Sequence, residues 1–384
     1  MKKIMMAAFL VVCVSALWGR TLKTGAAQPE RYLPLLKGKS VALLGNHTSR
    51  IGNEQLLDFL LQKGVDVKKI FCPEHGFRGT ADAGETVKDH TDPVTGLPVI
   101  SLYGKNKKPT PDQLKGIDVV VVDIQDVGIR FYTYLSTLHY MMEACSENNV
   151  PLILLDRPDP NGDYVSGPVL DLNFRSFVGM EPVPVVYGCT LGEMARMING
   201  EGWLKNGEKC RLTVVPVAGY THHTPYSLPE KPSPNLPNDQ SVRLYPSLCF
   251  FEATHASIGR GTAFPFQVIG FPDPSMGTFR FTPRSTPGMA THPVQEGKAC
   301  YGIDLRREKP VPHFTLAYFI EFYSRFKNES DFLKSEKWFN LLAGNATLLQ
   351  KIRAGMSAGQ IEKSWQKPLK HYLKIRSAYL LYPE

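Results

Sequence analysis

The chain has 384 residues, of which 44 are lysine or arginine and 36 are aspartate or glutamate, so its formal net charge is +8. This length exceeds that of one typical hydrophobic core and predicts two domains, while 43% hydrophobic and 21% charged residues are ordinary for a globular protein and exclude a disordered one. No basic run is interleaved with aromatic residues, so the sequence argues against nucleic acid as a partner despite the positive charge.

The amino terminus has the pattern of a targeting segment. Lys2 and Lys3 precede an apolar stretch from Ile4 to Leu17. This pattern is typical of a secretory signal peptide, so residues 1–27 are predicted to be cleaved off or to remain as an anchor that tethers the chain to a membrane. We therefore expect secretion across the inner membrane, to a periplasmic or extracellular location.

Four hydrophobic runs in the first half of the chain each end in a dense polar cluster. They predict strands that are buried on both faces, at Val41–Leu44, Ile70–Cys72, Val119–Val122 and Leu152–Leu155. Apolar residues at helical spacing follow in Asn53–Lys63 and Tyr134–Asn148, and Thr190 with Glu193 forms a capping box. This alternation predicts an α/β domain, residues 38–228, with a doubly wound parallel sheet.

A proline-rich stretch marks the passage into a second part of the chain. Prolines recur between Pro225 and Pro237 and predict a stiff crossing into a smaller α+β domain, residues 229–384. Within it, Val242 to Thr254 is predicted to be a strand, and Leu316 to Phe326 is predicted to be a helix.

Glu74 is the first candidate for chemistry. Ligands bind at the carboxyl ends of strands in open parallel sheets, so the polar clusters are expected to converge on one crevice. Glu74 follows a predicted strand and lies beside His75, and Gly76 lets the backbone approach a ligand closely. A partly buried glutamate there is suited to general acid catalysis. The alternative is a glutamate that pairs with loop amides or with Arg78.

The cluster after the third predicted strand offers further polar and aromatic side chains. Asp123 and Asp126 are able to orient a base, bind sugar hydroxyls or hold a metal, although Arg130 could instead neutralise Asp126. Tyr132 and Tyr134 supply aromatic surface of the kind that stacks on sugar rings.

Glu85, on the connection after Glu74, is a second candidate carboxylate. In the second domain, Glu252 precedes Arg260, which could form a bidentate pair with a substrate carboxylate or a salt bridge at the domain interface. The catalytic candidates are Glu74, His75, Glu85 and Asp123. The substrate-binding candidates are Asn46, Arg78, Gln125, Asp126, Arg130, Tyr132, Tyr134, Asp156, Arg157, Glu252 and Arg260.

Several familiar chemistries have no matching motif in the chain. There is no Gly-x-Ser-x-Gly elbow, no Walker loop and no His-Glu-x-x-His, and Gly259-x-Gly261 lacks the third glycine of a dinucleotide fingerprint. No local ligand spacing supports a metal site, and the cysteines are scattered singly. The sequence therefore predicts no cofactor, no nucleotide and no metal.

The order of the polar motifs resembles one known family. The motifs are PEHGFRG, AGE at Ala83–Glu85, DPVTGLPVISLYG, DIQDVGIRFYTY, DRPDPNG, PSPNLP and YPSLCFFEATHASIGRGT. They resemble the exo-acting β-N-acetylmuramidases of the NamZ type along nearly the whole mature chain. The resemblance implies a Rossmann-like amino-terminal domain, a smaller carboxy-terminal domain and an active site in the cleft between them.

The resemblance also implies an activity and a substrate. It implies hydrolysis of terminal N-acetylmuramic acid from the non-reducing end of peptidoglycan fragments, without a nucleotide, and it makes Glu74 the catalytic glutamate, helped by His75. The second negative partner of the oxocarbenium-like transition state stays open between Glu85, Asp123, Asp126 and the substrate's own 2-acetamido oxygen. Arg260 or Arg78 is expected to hold the lactyl carboxylate. The rival interpretations are a non-catalytic cell-wall glycan-binding protein and a metal-dependent esterase or amidase.

Overall fold

A central sheet of seven strands organises the first half of the protein. The computed structural model describes residues 22–78, 89–309, 311 and 313–384. The strands of this half are β1 (Ser40–Gly45), β2 (Arg50–Ile51), β3 (Glu54–Gln55), β4 (Asp66–Cys72), β5 (His90–Thr91), β6 (Pro98–Ser101), β7 (Val119–Asp123), β8 (Leu152–Leu155) and β9 (Leu212–Val215). The sheet has the order β5-β6-β4-β1-β7-β8-β9 and is parallel except at β5. The predicted doubly wound sheet is confirmed.

Helices cover both faces of this sheet. Because alternate residues of each strand point to opposite faces, neighbouring residues of one strand belong to different cores. Along β1, Val41 and Leu43 pack with residues of α1 and α2, while Ala42 and Leu44 belong to the core that contains α4 and α5. The helices are α1 (Pro29–Leu36), α2 (Leu56–Gln62), α3 (Pro111–Leu114), α4 (Tyr134–Glu147), α5 (Leu191–Gly200), α6 (Asp239–Leu248), α7 (Ala317–Tyr323), α8 (Glu329–Phe332), α9 (Glu336–Ala343), α10 (Thr347–Arg353), α11 (Ala358–Ser364) and α12 (Gln366–Arg376). The capping box predicted at Thr190 is present at the start of α5.

The second half combines a small sheet with most of the later helices. Its antiparallel strands are β10 (Val268–Phe271), β11 (Phe279–Phe281) and β12 (Cys300–Asp304), in the order β10-β12-β11. Phenylalanines 251, 319, 332 and 339 fill its interior with ring contacts of 5.1 to 6.1 Å between centroids. The larger hydrophobic core includes residues of both halves. The predicted α+β character of this part is confirmed.

The strand predicted at Val242–Thr254 is wrong, because these residues form the end of α6 and a 3₁₀ turn, Cys249–Ala253. Asn238 begins α6 with a capping box to Ser241, and the buried residues after it repeat at helical spacing. Pro246 lies inside the helix and has no amide hydrogen to donate, so the carbonyl oxygen of Val242, four residues earlier, loses its helical partner. This oxygen instead accepts a hydrogen bond from Asn161 Nδ2 at 3.4 Å.

Arg130 joins the two halves. Its side chain is 1% exposed and donates to the carbonyl oxygens of Pro168, Val183, Leu342 and Ala343 at 2.7 to 2.9 Å. Burial lowers the pKa of this guanidinium to about 9. Arg130 therefore crosslinks backbone segments of the interface, and among the described residues it donates to carbonyl oxygens rather than to Asp126.

The described residues contain neither a candidate membrane span nor a cysteine in a disulfide. No helix in the described ranges is long and apolar enough to cross a membrane. The six cysteines from Cys72 to Cys300 are buried and unpaired, as expected of small apolar core residues. The predicted targeting segment lies largely outside the described residues, since these begin at Leu22.

Candidate active site

A cleft with a volume of about 920 Å³ is lined by residues from both halves of the chain. Its polar lining includes Glu74, His75, Thr133, Ser233, Asn235, Glu252, Ser257 and Arg260. Its aromatic lining is formed by Tyr103, Phe131, Tyr132, Tyr245, Phe251, Phe266 and Trp338. Apolar and aromatic walls with a few placed polar groups are typical of a small-molecule site.

Strand register explains the position of Glu74. In the parallel pair of β4 and β6, Cys72 lies beside Ser101. The chain leaves each strand at the same edge, so Glu74 and Tyr103 each lie two residues beyond this last paired position. The sheet therefore delivers a carboxylate and a phenol to the same corner of the cleft.

Two hydroxyl groups hold the carboxylate of Glu74, which is half-buried. Thr133, the residue before α4, donates from Oγ1 to Glu74 Oε2 at 2.8 Å. The Tyr103 hydroxyl also hydrogen-bonds the Glu74 carboxylate, and burial together with this negative charge raises the pKa of Tyr103. Donors from two different elements thus fix the orientation of the carboxylate, as a group that must transfer a proton in one direction requires.

His75 adopts a backbone conformation that is rare for a residue with a side chain. Its φ is 73°, in the left-handed region, and its side chain is 4% exposed. His75 Nε2 lies 3.1 Å from Ser233 Oγ. Such strain persists where the surroundings enforce it and is concentrated at functional sites.

Glu252 and Arg260 form a charged pair on the cleft wall contributed by the second half. Arg260 Nη2 lies 2.6 Å from Glu252 Oε1, and the guanidinium lies 4.9 Å from the centre of the Phe266 ring. Burial opposes the charge of Arg260, but the neighbouring carboxylate of Glu252 raises its pKa overall. The side chain of Arg260 remains 22% exposed, so a charged donor faces the cleft.

Of the predicted site residues, the structure brings Glu74, His75, Tyr132, Glu252 and Arg260 together in this cleft. The predicted catalytic residue Glu85 lies outside the described residues. The remaining predicted residues do not line the cleft, because the structure gives their side chains other partners.

Asp123 pairs with Arg157 beneath the edge of the sheet. Arg157 Nε and Nη2 lie 2.5 and 2.9 Å from the two carboxylate oxygens of Asp123, which is 0% exposed. Asp123 is the last residue of β7, and Arg157 follows β8, its neighbour in the sheet. Arg78 likewise forms a bidentate pair, with Asp92, at 2.9 Å. Both arginines therefore neutralise carboxylates of the protein itself.

Neutral polar candidates hold the loops at the strand ends. Asn46 accepts from Thr48 and donates to the Tyr134 hydroxyl at 2.9 Å. Gln125 donates to the carbonyl oxygens of Asp126 and Pro158 at 2.8 Å. These contacts place the three predicted residues Asn46, Gln125 and Tyr134 in the support of the cleft rather than in its wall.

Asp126 and Asp156 are buried carboxylates in hydrogen-bond networks. Asp126 accepts from Tyr187 and from the amide of Gly128. Asp156 accepts from Thr190 Oγ1 at 2.6 Å and from the Tyr382 hydroxyl at 2.5 Å. Burial raises the pKa of each carboxyl to about 6.

Sequence reasoning missed Tyr103, Thr133 and Asn235 as cleft residues. Tyr103 follows β6, a strand of only four residues whose apolar core is Val99 and Ile100. The available signal was the carboxyl end of that short strand, which the resemblance motif DPVTGLPVISLYG contains.

Asp123 and Asp126 were also candidates for holding a metal ion. Within the ranges that the structure describes, no group of three histidine, cysteine, aspartate or glutamate side chains is arranged to hold a metal ion.

Comparison with known proteins gives matches along almost the whole chain. Residues 41–240 match the family described as exo-beta-N-acetylmuramidase NamZ, N-terminal, and residues 243–382 match its C-terminal counterpart. The peptidoglycan beta-N-acetylmuramidase NamZ of Bacillus subtilis (strain 168) is 37% identical over 372 residues, which cover 91% of this chain and 89% of that protein.

Two solved structures share the fold. Both are crystal structures of DUF1343 family proteins from Bacteroides fragilis NCTC 9343. One is 43% identical with a TM-score of 0.87, and the other is 28% identical with a TM-score of 0.80. Each alignment covers 94% of this chain and 99% of the solved chain. The architecture therefore recurs at full length.

Because the carboxyl of Asp156 is buried, we expect its replacement to lower the free energy of unfolding by an amount that depends on pH. Its pKa is raised by burial from 3.8 to about 6 in the folded protein, so its stabilising contribution is complete at low pH and declines as the pH rises from about 4 to about 6. We expect Asp156→Asn to lower the free energy of unfolding more at pH 4.5 than at pH 7.5, by about 2 kcal/mol. Urea denaturation at both pH values measures this difference.

The exposed Asp331, changed to asparagine, is the matched control, because its carboxyl meets water in the folded and the unfolded chain. An Asp156→Asn cost that is equal at the two pH values, or larger at pH 7.5, would contradict the prediction.

Proposed function

The chain belongs to the exo-β-N-acetylmuramidase NamZ family, and from this premise we propose that its cleft hydrolyses the bond that links a terminal N-acetylmuramic acid to a peptidoglycan fragment. The observation that carries the proposal is the half-buried Glu74, held by Thr133 and Tyr103 in a large cleft with aromatic walls. A sugar ring offers apolar faces and hydroxyl edges, which match these walls and the polar groups between them.

Glu74 acts as the general acid in this proposal. Glycoside hydrolysis requires a carboxylic acid that protonates the leaving oxygen while the sugar develops oxocarbenium character. The two hydroxyl donors fix the direction in which Glu74 presents its proton. His75 supports this geometry by holding the loop through Ser233.

The positions of the carboxylates bear on which group balances the positive charge of the transition state. Asp123 and Asp126 are buried in contacts away from the cleft, so neither reaches a bound sugar without rearrangement. Glu252 is a second carboxylate on the cleft wall. The proposal therefore retains the substrate's own 2-acetamido oxygen and Glu85, which lies outside the described residues, as partners, and it adds Glu252.

Arg260 is the proposed receptor for the lactyl carboxylate of muramic acid. Its guanidinium lines the cleft and contacts Glu252 through Nη2, which leaves further N–H groups for a ligand. Arg78, the other candidate, is engaged by both oxygens of Asp92. A planar guanidinium pairs with a carboxylate through two parallel hydrogen bonds, which a neutral hydroxyl at the same position cannot reproduce.

The role of Glu74 is tested with Glu74→Gln. The amide keeps the shape of the side chain but has no acidic proton, so kcat on a chromogenic N-acetylmuramic acid glycoside is expected to fall by about two orders of magnitude or more. Glu336→Gln, at an exposed position on α9, is the control and should retain activity. An unchanged kcat in Glu74→Gln would remove Glu74 from this role, and glycan binding by the wild type without release of sugar would favour a non-catalytic binder.

The role of Arg260 is tested with Arg260→Met on two glycosides that differ only in the lactyl group, those of N-acetylmuramic acid and N-acetylglucosamine. We expect the wild type to prefer the muramic substrate and the variant to lose at least about tenfold of that preference in kcat/KM, since a charged hydrogen-bonded pair is lost. Arg78→Met, which removes an arginine engaged with Asp92, should keep the preference. A variant that retains the wild-type ratio would exclude Arg260 as the receptor.

We also propose that the protein is exported, because Lys2, Lys3 and the following apolar stretch match a secretory signal. Cell fractionation of the full chain and of a chain that starts after residue 27 tests this proposal. The full chain is expected outside the cytoplasm and the shortened chain inside it. Full-length protein that stays in the cytoplasm would contradict export.

A further inference from the structure

The turn from Pro232 to Pro237 carries a polar side chain whose acceptor is unused. Asn235 is 1% exposed and lines the cleft. Its Nδ2 donates to the carbonyl oxygen of Met289 at 2.8 Å, which fixes the orientation of the amide. Its Oδ1 is buried and has no hydrogen-bond partner among the described residues. Because buried acceptors are nearly always paired, an unpaired one in a ligand cleft indicates a donor on the ligand.

This acceptor is attached rigidly to the loop that carries Glu74. Ser233 Oγ lies 3.1 Å from His75 Nε2 and accepts from the backbone N–H of Asn235 at 3.2 Å. The carbonyl oxygen of Pro232 accepts from the Tyr132 hydroxyl at 2.7 Å. Asn235 is therefore two residues from Ser233, whose side chain contacts His75, the residue next to Glu74.

The position of Asn235 limits which part of a sugar it meets. Glu74 must reach the oxygen on C1, the carbon at which the glycosidic bond breaks. The substituent on C2 is the nearest neighbour of that bond. In N-acetylmuramic acid this substituent is an acetamido group, which offers one N–H donor and one methyl group.

The surroundings of Asn235 match both parts of an acetamido group. Its free oxygen is an acceptor for the N–H, and Leu236 and Met289 line the cleft beside it as apolar contacts for the methyl. A hydroxyl would satisfy the oxygen but would leave the apolar contacts unused.

We propose that Asn235 Oδ1 accepts the hydrogen bond from the 2-acetamido N–H of the sugar bound beside Glu74, and that Asn235 thereby selects N-acetylated muramic acid. This assignment rests on the proposed function, because it takes the muramic residue to be bound with its C1 at Glu74. It makes Asn235 a specificity-determining residue that contacts the substrate.

The test pairs one residue with one atom of the substrate. Wild type and Asn235→Ala are each assayed on a chromogenic N-acetylmuramic acid glycoside and on its 2-acetoxy analogue, in which oxygen replaces the N–H. The wild type is expected to prefer the acetamido substrate by about tenfold or more in kcat/KM, and the variant is expected to lose about tenfold of that preference. Both substrates are measured on one preparation, so partial misfolding cancels in the ratio.

Ser233→Ala is the matched control on the same turn. It removes the contact with His75 and the hydrogen bond from the backbone N–H of Asn235, while the carbonyl oxygen of Met289 still holds the Asn235 side chain. It is expected to lower kcat on both substrates by one common factor and to keep the ratio. An Asn235→Ala variant whose ratio equals that of the wild type would overturn the assignment of Asn235 alone.

The wild-type comparison needs no variant and remains decisive if Asn235→Ala does not fold. Equal kcat/KM on the two glycosides in the wild type overturns the assignment while the muramidase activity stands. Release of no sugar from the acetamido glycoside overturns the proposed function, and the assignment falls with it.

Discussion

The parallel register between β4 and β6 is the constraint on which the site depends. Since Cys72 pairs with Ser101, the chain must place Glu74 beside Tyr103 when it leaves the two strands. A shift of one residue would turn every side chain of the strand to the opposite face, so that Ile70 and Cys72 would enter the core that holds Phe71 and both cores would have to repack. The hydrophobic core thus fixes the position of Glu74, although Glu74 is not a core residue.

Most charges at the strand ends belong to the architecture. A buried carboxylate is tolerated when it is paired or hydrogen-bonded, and Asp123 with Arg157 satisfies that condition across neighbouring strands. Arg130 uses its donors on backbone carbonyl oxygens of both halves. Because these residues support the edge of the sheet, a few others, chiefly Glu74, Glu252 and Arg260, are left to face the cleft.

This division explains what the sequence could and could not predict. Continuous apolar runs identify β1, β4, β7 and β8, since strands buried on both faces need them. The polar residues behind those runs look alike in sequence, because a carboxylate that faces a ligand and one that faces an arginine follow the strand in the same way. Only the three-dimensional pairing separates Glu74 from Asp123. Two further failures had local causes: β6 is too short for a clear apolar run, and the capped start of α6 at Asn238 outweighs the strand-like composition after it.

The Pro232–Pro237 turn shows how the second half takes part in a site whose acid lies in the first. Prolines restrict this turn before any contact forms, so little conformational entropy remains to be lost there. Tyr132 and His75 then hold it from one side, and Met289 holds it from the other through Asn235. A ligand group that meets Asn235 therefore meets a position defined by both halves at once. Preorganisation of this kind is required when binding and proton transfer must occur on neighbouring atoms of one sugar ring.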